Sequence, residues 1–469
     1  MKKTWIILLF FLISCTQRSG QTNNQNNYVS HPTQFPSLKE GMIHKYISCI
    51  ADTAFSYALY LPETHTNITK PKNIFPVIFF FDAHKRGVMP VEKYAALAEK
   101  YGFILVGSNN SENGQPPEET DRIISLLFND VAERFNIDHD QMNVSGFSGG
   151  ARVAARIALF RKENVAGVIG CAAGFPPLGS GFNTQFSYLA IVGDKDFNYL
   201  EMKELDIALD QTPIPHYLLI YDGKHDWPPE KIMQEGFEFL QFDAMRKNQH
   251  LKDEKEINAF LIRNDSIRTE ARKEGKTVLL VQTDRKIITF LDQLVPTDIY
   301  KAEFDSLVTR PAYMVWRESE EKEEIFERNQ QQKFAAAMGS KNLSWWLQEI
   351  EDLYKKPEDP VNLRLLNYLS LVSYMYASGT LRNNQLNEAD KYLTIYEKVD
   401  PENPEVYYLR AAWLVRTGKK GQVIPQLQKA ADNGFDEYAR MKNSKDFKGF
   451  QDDEAFEKIL LQIRDKSEQ

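Results

Sequence analysis

The segment Ile74-Phe75-Pro76-Val77-Ile78-Phe79-Phe80-Phe81 constrains this chain more than any other stretch. A strand that is apolar on both sides of its pleat has no face to offer water, so it must lie inside a sheet covered above and below. Parallel sheets supply such cover, because the helices that connect their strands lie on both faces. The segment therefore predicts an α/β architecture.

The sequence from Ile43 to Arg246 fits that architecture. Ile43–Ile50 and Ala54–Leu61 read as a leading antiparallel pair. After the central run come a helical pattern over Val91–Tyr101, the strand Phe103–Gly107 and the polar loop "SNNSENGQPPEE". A helix over Thr120–Phe135 and a strand over Met142–Ser145 follow, then a helix over Ala151–Phe160. The strands "VAGVIGCAA", "YLAIVG" and "HYLLIY" and a helix from Pro229 complete the alternation. Strands and helices in strict alternation predict right-handed crossovers and a mostly parallel sheet.

Beyond residue 248 charged sequence with helical period takes over, broken at Pro296, Pro311 and Pro357. "TVLLVQ" is strand-like by itself, but its neighbours have helical spacing and predict a helix. Near the end, Ala389, Leu393 and Pro401 stand at small, bulky and terminating positions of a helix pair, and Ala411, Gly418 and Ala430 recur in a second unit. This pattern resembles tetratricopeptide repeats; a plain helical bundle with repeat-like packing accounts for the same residues. The expected organisation is a leader over 1–14, a polar linker over 15–40, an α/β domain over 41–248, a helical region over 249–357 and a repeat-like helical region over 358–469.

At the N-terminus Lys2 and Lys3 precede an apolar run, Trp5 to Ile13, too short to span a bilayer as a mature helix. The run ends in Leu12-Ile13-Ser14-Cys15, which resembles the lipobox of bacterial lipoproteins. That likeness implies acylation of Cys15 and a membrane-anchored protein of the cell envelope; an ordinary cleaved signal is the alternative. Cys49 and Cys171 lie in strand-like apolar runs and read as buried thiols. The net charge of −8 leaves no basic surplus for nucleic-acid phosphates. The chain has neither a His-Glu-x-x-His pattern nor paired cysteines, and its Gly-rich turn lacks the lysine of a phosphate loop, so no metal or cofactor is expected.

The chemistry concentrates at Gly146-Phe147-Ser148-Gly149-Gly150, between a predicted strand and a predicted helix. A serine on a tight strand-to-helix turn needs small residues two before and two after it, where strand and helix nearly touch. Gly146 and Gly150 meet that need, and the Gly149 N–H can face a developing oxyanion at the positive end of the helix. A plain Gly-rich turn is the alternative. Serine attacks only after a base removes its proton, so a histidine and an orienting carboxylate should follow. His225 lies in the loop after the last strand. Asp194 and Asp196 follow "YLAIVG", and Asp196 is preferred by its spacing from Gly193. His216 starts a strand on the opposite edge, and His31, His139 and His250 lie outside strand-end loops, which leaves His84 as the rival. The loop after "VIFFF" offers Ala83 or His84 as a second oxyanion donor.

On "VSGFSGGARVA", "IVGDKDF", "YDGKHDWP" and "GSNNSENG", residues 43–246 resemble the α/β-hydrolase family, and within it secreted esterases akin to polyhydroxybutyrate depolymerases and feruloyl esterases. The resemblance implies Ser148 as nucleophile, His225 as base and Asp196 as acid, with an oxyanion hole from Gly149 and Ala83–His84. It also implies a pocket lined by Asn110 and Asn113; an Asx-rich turn would use the same two residues. The usual His-Gly pair of the oxyanion loop is replaced by Asp82-Ala83, and a carboxylate there opposes catalysis unless it points away. The expected activity is cofactor-free hydrolysis of a small or polymer-borne ester, with the C-terminal helices available to a protein partner. A peptidase on the same triad and an inactive hydrolase-fold scaffold are the alternatives.

Overall fold

The computed structural model describes residues 38–63, 74–160, 165–175 and 184–467. The leader, Cys15 and nearly all of the linker lie outside them. The apolar runs form eight strands: β1 (Ile43–Ser48), β2 (Ser56–Tyr60), β3 (Phe75–Phe81), β4 (Ile104–Ser108), β5 (Ile137–Phe147), β6 (Gly167–Cys171), β7 (Ser187–Gly193) and β8 (His216–Tyr221). They make one sheet in the order β1-β2-β4-β3-β5-β6-β7-β8. β2 pairs antiparallel with β1 and β4, and every other pairing is parallel. This is the α/β-hydrolase arrangement. Five helices cross over or flank the sheet: α1 (Val88–Tyr101), α2 (Pro117–Arg134), α3 (Gly149–Phe160), α4 (Tyr199–Leu209) and α5 (Glu230–Lys247).

β3 sits inside the sheet between β4 and β5, and Pro76 to Phe81 are all buried, as an all-apolar strand requires. β5 is longer than its apolar pattern over Met142–Ser145. Its first part, around Asp138, His139 and Asp140, is polar and largely exposed, so alternation could not reveal it. Helices α1, α2 and α3 also begin two or three residues before their apolar periodicity does.

Eleven further helices follow: α6 (Glu254–Lys273), α7 (Thr277–Leu291), α8 (Asp298–Val308), α9 (Pro311–Ala337), α10 (Leu343–Tyr354), α11 (Pro360–Arg382), α12 (Leu386–Val399), α13 (Pro404–Arg416), α14 (Val423–Asp432), α15 (Tyr438–Asn443) and α16 (Glu454–Ser467). "TVLLVQ" is the first half of α7. The core of the α/β part does not stop at residue 248. Ile257 and Phe260 of α6 and Ile287, Phe290 and Leu291 of α7 join Phe239, Phe242 and Tyr217 in one apolar cluster, with Phe260 and Phe290 stacked 5.3 Å apart. A second core runs from Phe334 of α9 to Ile463 of α16. Within it the small residues Ala389, Ala411 and Ala430 and the bulky Leu393 are fully buried. α12 ends at Val399, just before Pro401.

Candidate active site

The turn after β5 is set by steric necessity. A Cβ on Gly146 would stand 2.1 Å from the Gly150 carbonyl oxygen, and one on Gly150 would stand 1.9 Å from the Phe81 carbonyl oxygen. No side chain fits either gap, because both obstacles are backbone. Ser148 between them adopts φ of 53°, a left-handed conformation uncommon outside glycine. Its N–H donates to the Cys171 carbonyl across the β5–β6 edge at 2.9 Å. The strained turn lifts the Ser148 hydroxyl above the carboxyl end of the sheet.

β7 and β8 bring their loops to that same end. His225 Nε2 lies 3.0 Å from Ser148 Oγ, while Nδ1 lies 2.8 and 3.0 Å from the two oxygens of Asp196. Asp196 is fully buried and ionised carboxylates only accept, so Nδ1 carries the proton and Nε2 faces the hydroxyl as acceptor. The imidazole is held between the rings of Phe147 and Phe197, at 4.7 and 4.2 Å. Asp196 also accepts from the Asn198 N–H at 2.8 Å. Its rival Asp194 plays another part: its carboxylate accepts from the Gly223 N–H at 3.0 Å and so fastens the acid loop to the histidine loop.

Each remaining candidate has a definite place. His84 is exposed, and its ring lies near Asp82 rather than at the serine. Its N–H donates to Asp82 Oδ1 at 2.8 Å, so of the two expected donors in that loop the His84 N–H is already turned to a carboxylate and the Ala83 N–H is not. The loop is fixed against the segment after β4, since the Lys85 N–H donates to Ser111 and the Asn113 N–H to Ala83. That pairing sets the Asn113 amide over Gly149, where a Cβ would stand 1.7 Å from Oδ1. Asn110 does not line the site. Its side chain accepts from the Ser56 N–H at 2.8 Å and donates to the Ala54 carbonyl at 3.2 Å, long-range bonds that secure the start of β2 rather than a local Asx turn.

The replacement of His-Gly by Asp82-Ala83 has a structural explanation that sequence could not supply. Asp82 is completely buried and accepts from Trp227 Nε1 at 2.9 Å and from Arg86 at 3.0 and 3.1 Å, besides the His84 N–H. Burial alone would raise its pKa, but the hydrogen bonds from His84, Arg86 and Trp227 outweigh it and hold the carboxyl well below the usual range. Its charge is thus spent on these partners. Trp227, two residues past His225, is itself buried against Phe80, Tyr94 and Phe147. One carboxylate therefore bolts the loop after β3 to the loop after β8. Cys171 and Cys49 are buried free thiols. Among the described residues no group of three or more His, Cys, Asp or Glu is gathered as a metal site, and no helix is long and apolar enough to cross a membrane.

No family model matches the chain, and no curated protein does. Solved structures with a similar fold include the fluorophosphonate-binding serine hydrolase F of Staphylococcus aureus, at 13% identity and a TM-score of 0.34, over 40% of this chain and 92% of that one. S-formylglutathione hydrolase of Staphylococcus aureus is similar at 14% identity and a TM-score of 0.34, over 43% and 99%. The feruloyl esterase module of Clostridium thermocellum, bound to sinapinate, is similar at 15% identity and a TM-score of 0.33, over 41% and 85%.

Proposed function

We propose that the protein is a serine hydrolase that cleaves carboxylic esters through an acyl-enzyme. The observation that carries this reading is the unbroken chain from Ser148 Oγ to His225 Nε2 at 3.0 Å and from His225 Nδ1 to Asp196 at 2.8 Å. Ser148 Oγ attacks the ester carbonyl as Nε2 takes its proton, and the carboxylate of Asp196 stabilises the imidazolium. The Gly149 and Ala83 N–H groups receive the charge that develops on the carbonyl oxygen. The imidazolium returns its proton to the leaving alcohol; a water, deprotonated by the same nitrogen, then releases the acid. An inactive scaffold draws its motive from Asp82, and that motive weakens once the carboxylate is bound to Trp227 and Arg86. On the lipobox-like sequence at Cys15, the enzyme acts from a membrane surface in the cell envelope.

The test is incubation with a fluorophosphonate and a short p-nitrophenyl ester, beside a p-nitroanilide peptide panel. Labelling should map to Ser148, and labelling and turnover should both vanish in Ser148→Ala. Retention of both in that variant would remove the assignment; faster anilide than ester cleavage would make the protein a peptidase.

A further inference from the structure

The acid loop is held from two sides, and one of them lies far along the chain. On the sheet side, the Asp194 N–H donates to Tyr221, the Lys195 N–H donates to Gly223, and Asp194 accepts from Gly223, so the loop follows β8 and the histidine. On the other side stands α11. Arg364 and Asn367 are one turn apart on one face of that helix and meet two successive carbonyls. Arg364 Nη1 donates to the Asp194 carbonyl at 2.8 Å, and Asn367 Nδ2 donates to the Lys195 carbonyl at 2.8 Å. Asp196 is the next residue.

The guanidinium is itself fully constrained. It is nearly all buried, its Nε and Nη2 both lie 2.7 Å from Glu327 on α9, and its face lies 4.2 Å from the ring of Tyr199. Tyr199 begins the helix after the acid loop, and its N–H donates to the Asp196 carbonyl at 3.0 Å. Replacing a buried ion pair by apolar residues is often neutral or stabilising, so such a pair is a poor device for stability alone. A rigid, planar donor held by Glu327 and stacked on Tyr199 is, however, well suited to fixing where a loop carbonyl sits.

We propose that α11 is the positioning element for the catalytic acid, with Arg364 and Asn367 holding the Asp194 and Lys195 carbonyls so that Asp196 stays in register with His225. The inference rests on the serine-hydrolase reading and deepens it: the C-terminal helices are part of the hydrolytic machinery, not only a surface for a partner.

The test uses the full chain and the variants Arg364→Met, Arg364→Lys and Asn367→Leu, with Leu427→Ala of α14 as a comparison that damages only the helical core. Displacing a catalytic group by about 1 Å costs on the order of a hundredfold in rate. Arg364→Met and Asn367→Leu should therefore lower kcat on the p-nitrophenyl ester by about ten- to a hundredfold while KM moves less than about twofold. Fluorophosphonate labelling should slow in parallel, and Arg364→Lys should recover part of the rate. Leu427→Ala should lower the melting temperature and leave kcat near the wild-type value. Should Arg364→Met fail to fold, Asn367→Leu carries the test, because that amide is only partly buried. Wild-type kcat in folded Asn367→Leu and Arg364→Met would overturn the proposal and leave the hydrolase reading standing. A wild-type protein that neither turns over ester nor labels would remove both.

Discussion

Replacing Asp82 by asparagine isolates the carboxylate that joins the oxyanion loop to the histidine loop. The amide keeps one oxygen, which can still accept from the His84 N–H, but its NH2 then faces both Trp227 Nε1 and Arg86 Nη2, donor against donor. Trp227 is buried, so its orphaned N–H costs about 1–3 kcal/mol, and loss of charge assistance to the His84 bond adds about 1 kcal/mol. Arg86 is nearly half exposed and rehydrates, so its share is small. The expected loss is about 2–4 kcal/mol at pH 7. Because the folded pKa lies below the ordinary value of 3.8, this stability is complete above that value and drains away as pH falls through the folded one. Wild type and Asp82→Asn should therefore differ by a constant amount from pH 7 to about pH 5, then converge by up to about 1.4 kcal/mol per pH unit below about pH 4. Urea unfolding at pH 7, 5, 4 and 3, followed by tryptophan fluorescence and far-ultraviolet circular dichroism, measures the gap. A gap under about 0.5 kcal/mol at pH 7, or one that does not shrink in acid, would refute the reasoning.

The glycines of the turn make contrasting predictions. Gly146→Ala and Gly150→Ala force a methyl group into backbone and should each lose about 3 kcal/mol or more, seen as loss of soluble protein or a greatly lowered melting temperature. Gly149→Ala meets only the end of the Asn113 side chain, which can swing away, so it should fold with about wild-type stability while ester turnover falls at least tenfold. The Cys49 thiol is pushed up to about 11, chiefly by burial and then by Asp130, and burial raises Cys171 as well. Since only the thiolate reacts, a Cys15→Ser protein at pH 8 should yield no thiol to a disulfide reagent within minutes when folded and two when unfolded in urea. Asn113→Ala should leave stability unchanged within about 0.5 kcal/mol and alter KM among esters of different acyl size; unchanged KM throughout would remove Asn113 from the pocket.

What was legible in the sequence follows from the range of the forces that write it. A strand buried on both faces must be apolar along its whole length, so Ile74–Phe81 announces itself, and the β5 turn must keep glycine at 146 and 150 because the obstacles are local backbone. Topology then carries Asp196 and His225 to the carboxyl end of the sheet, which is why three distant residues could be placed together from order alone. Side-chain direction is another matter. Nothing near Asp82 says that its carboxylate turns toward an indole 145 residues later, or that Asn110 serves β2 while Asn113 faces Gly149. Helical periodicity in α6 and α7 says that one face is buried, but not that it completes the core under β8.

The same distinction explains how the site is held. Loops cost conformational entropy to order, on the order of 1–2 kcal/mol per residue, yet a triad tolerates only about half an ångström of error. Ser148 needs little outside help, because its turn is wedged by backbone against backbone. The loops after β7 and β8 are wedged where they start, a Cβ on Gly193 standing 2.3 Å from the Gly223 carbonyl oxygen, and beyond that point they are cross-linked by side chains: Asp82 to Trp227, Asp194 to Gly223, Arg364 to Asp194 and Asn367 to Lys195. Two of these four links originate on α11, 170 and 172 residues along the chain from the carbonyls they meet. Loss of the α11 links alone would leave the turn at Ser148 and the sheet-side bonds of Asp194 and Lys195 in place, so ester turnover should be more sensitive to those links than the urea midpoint is.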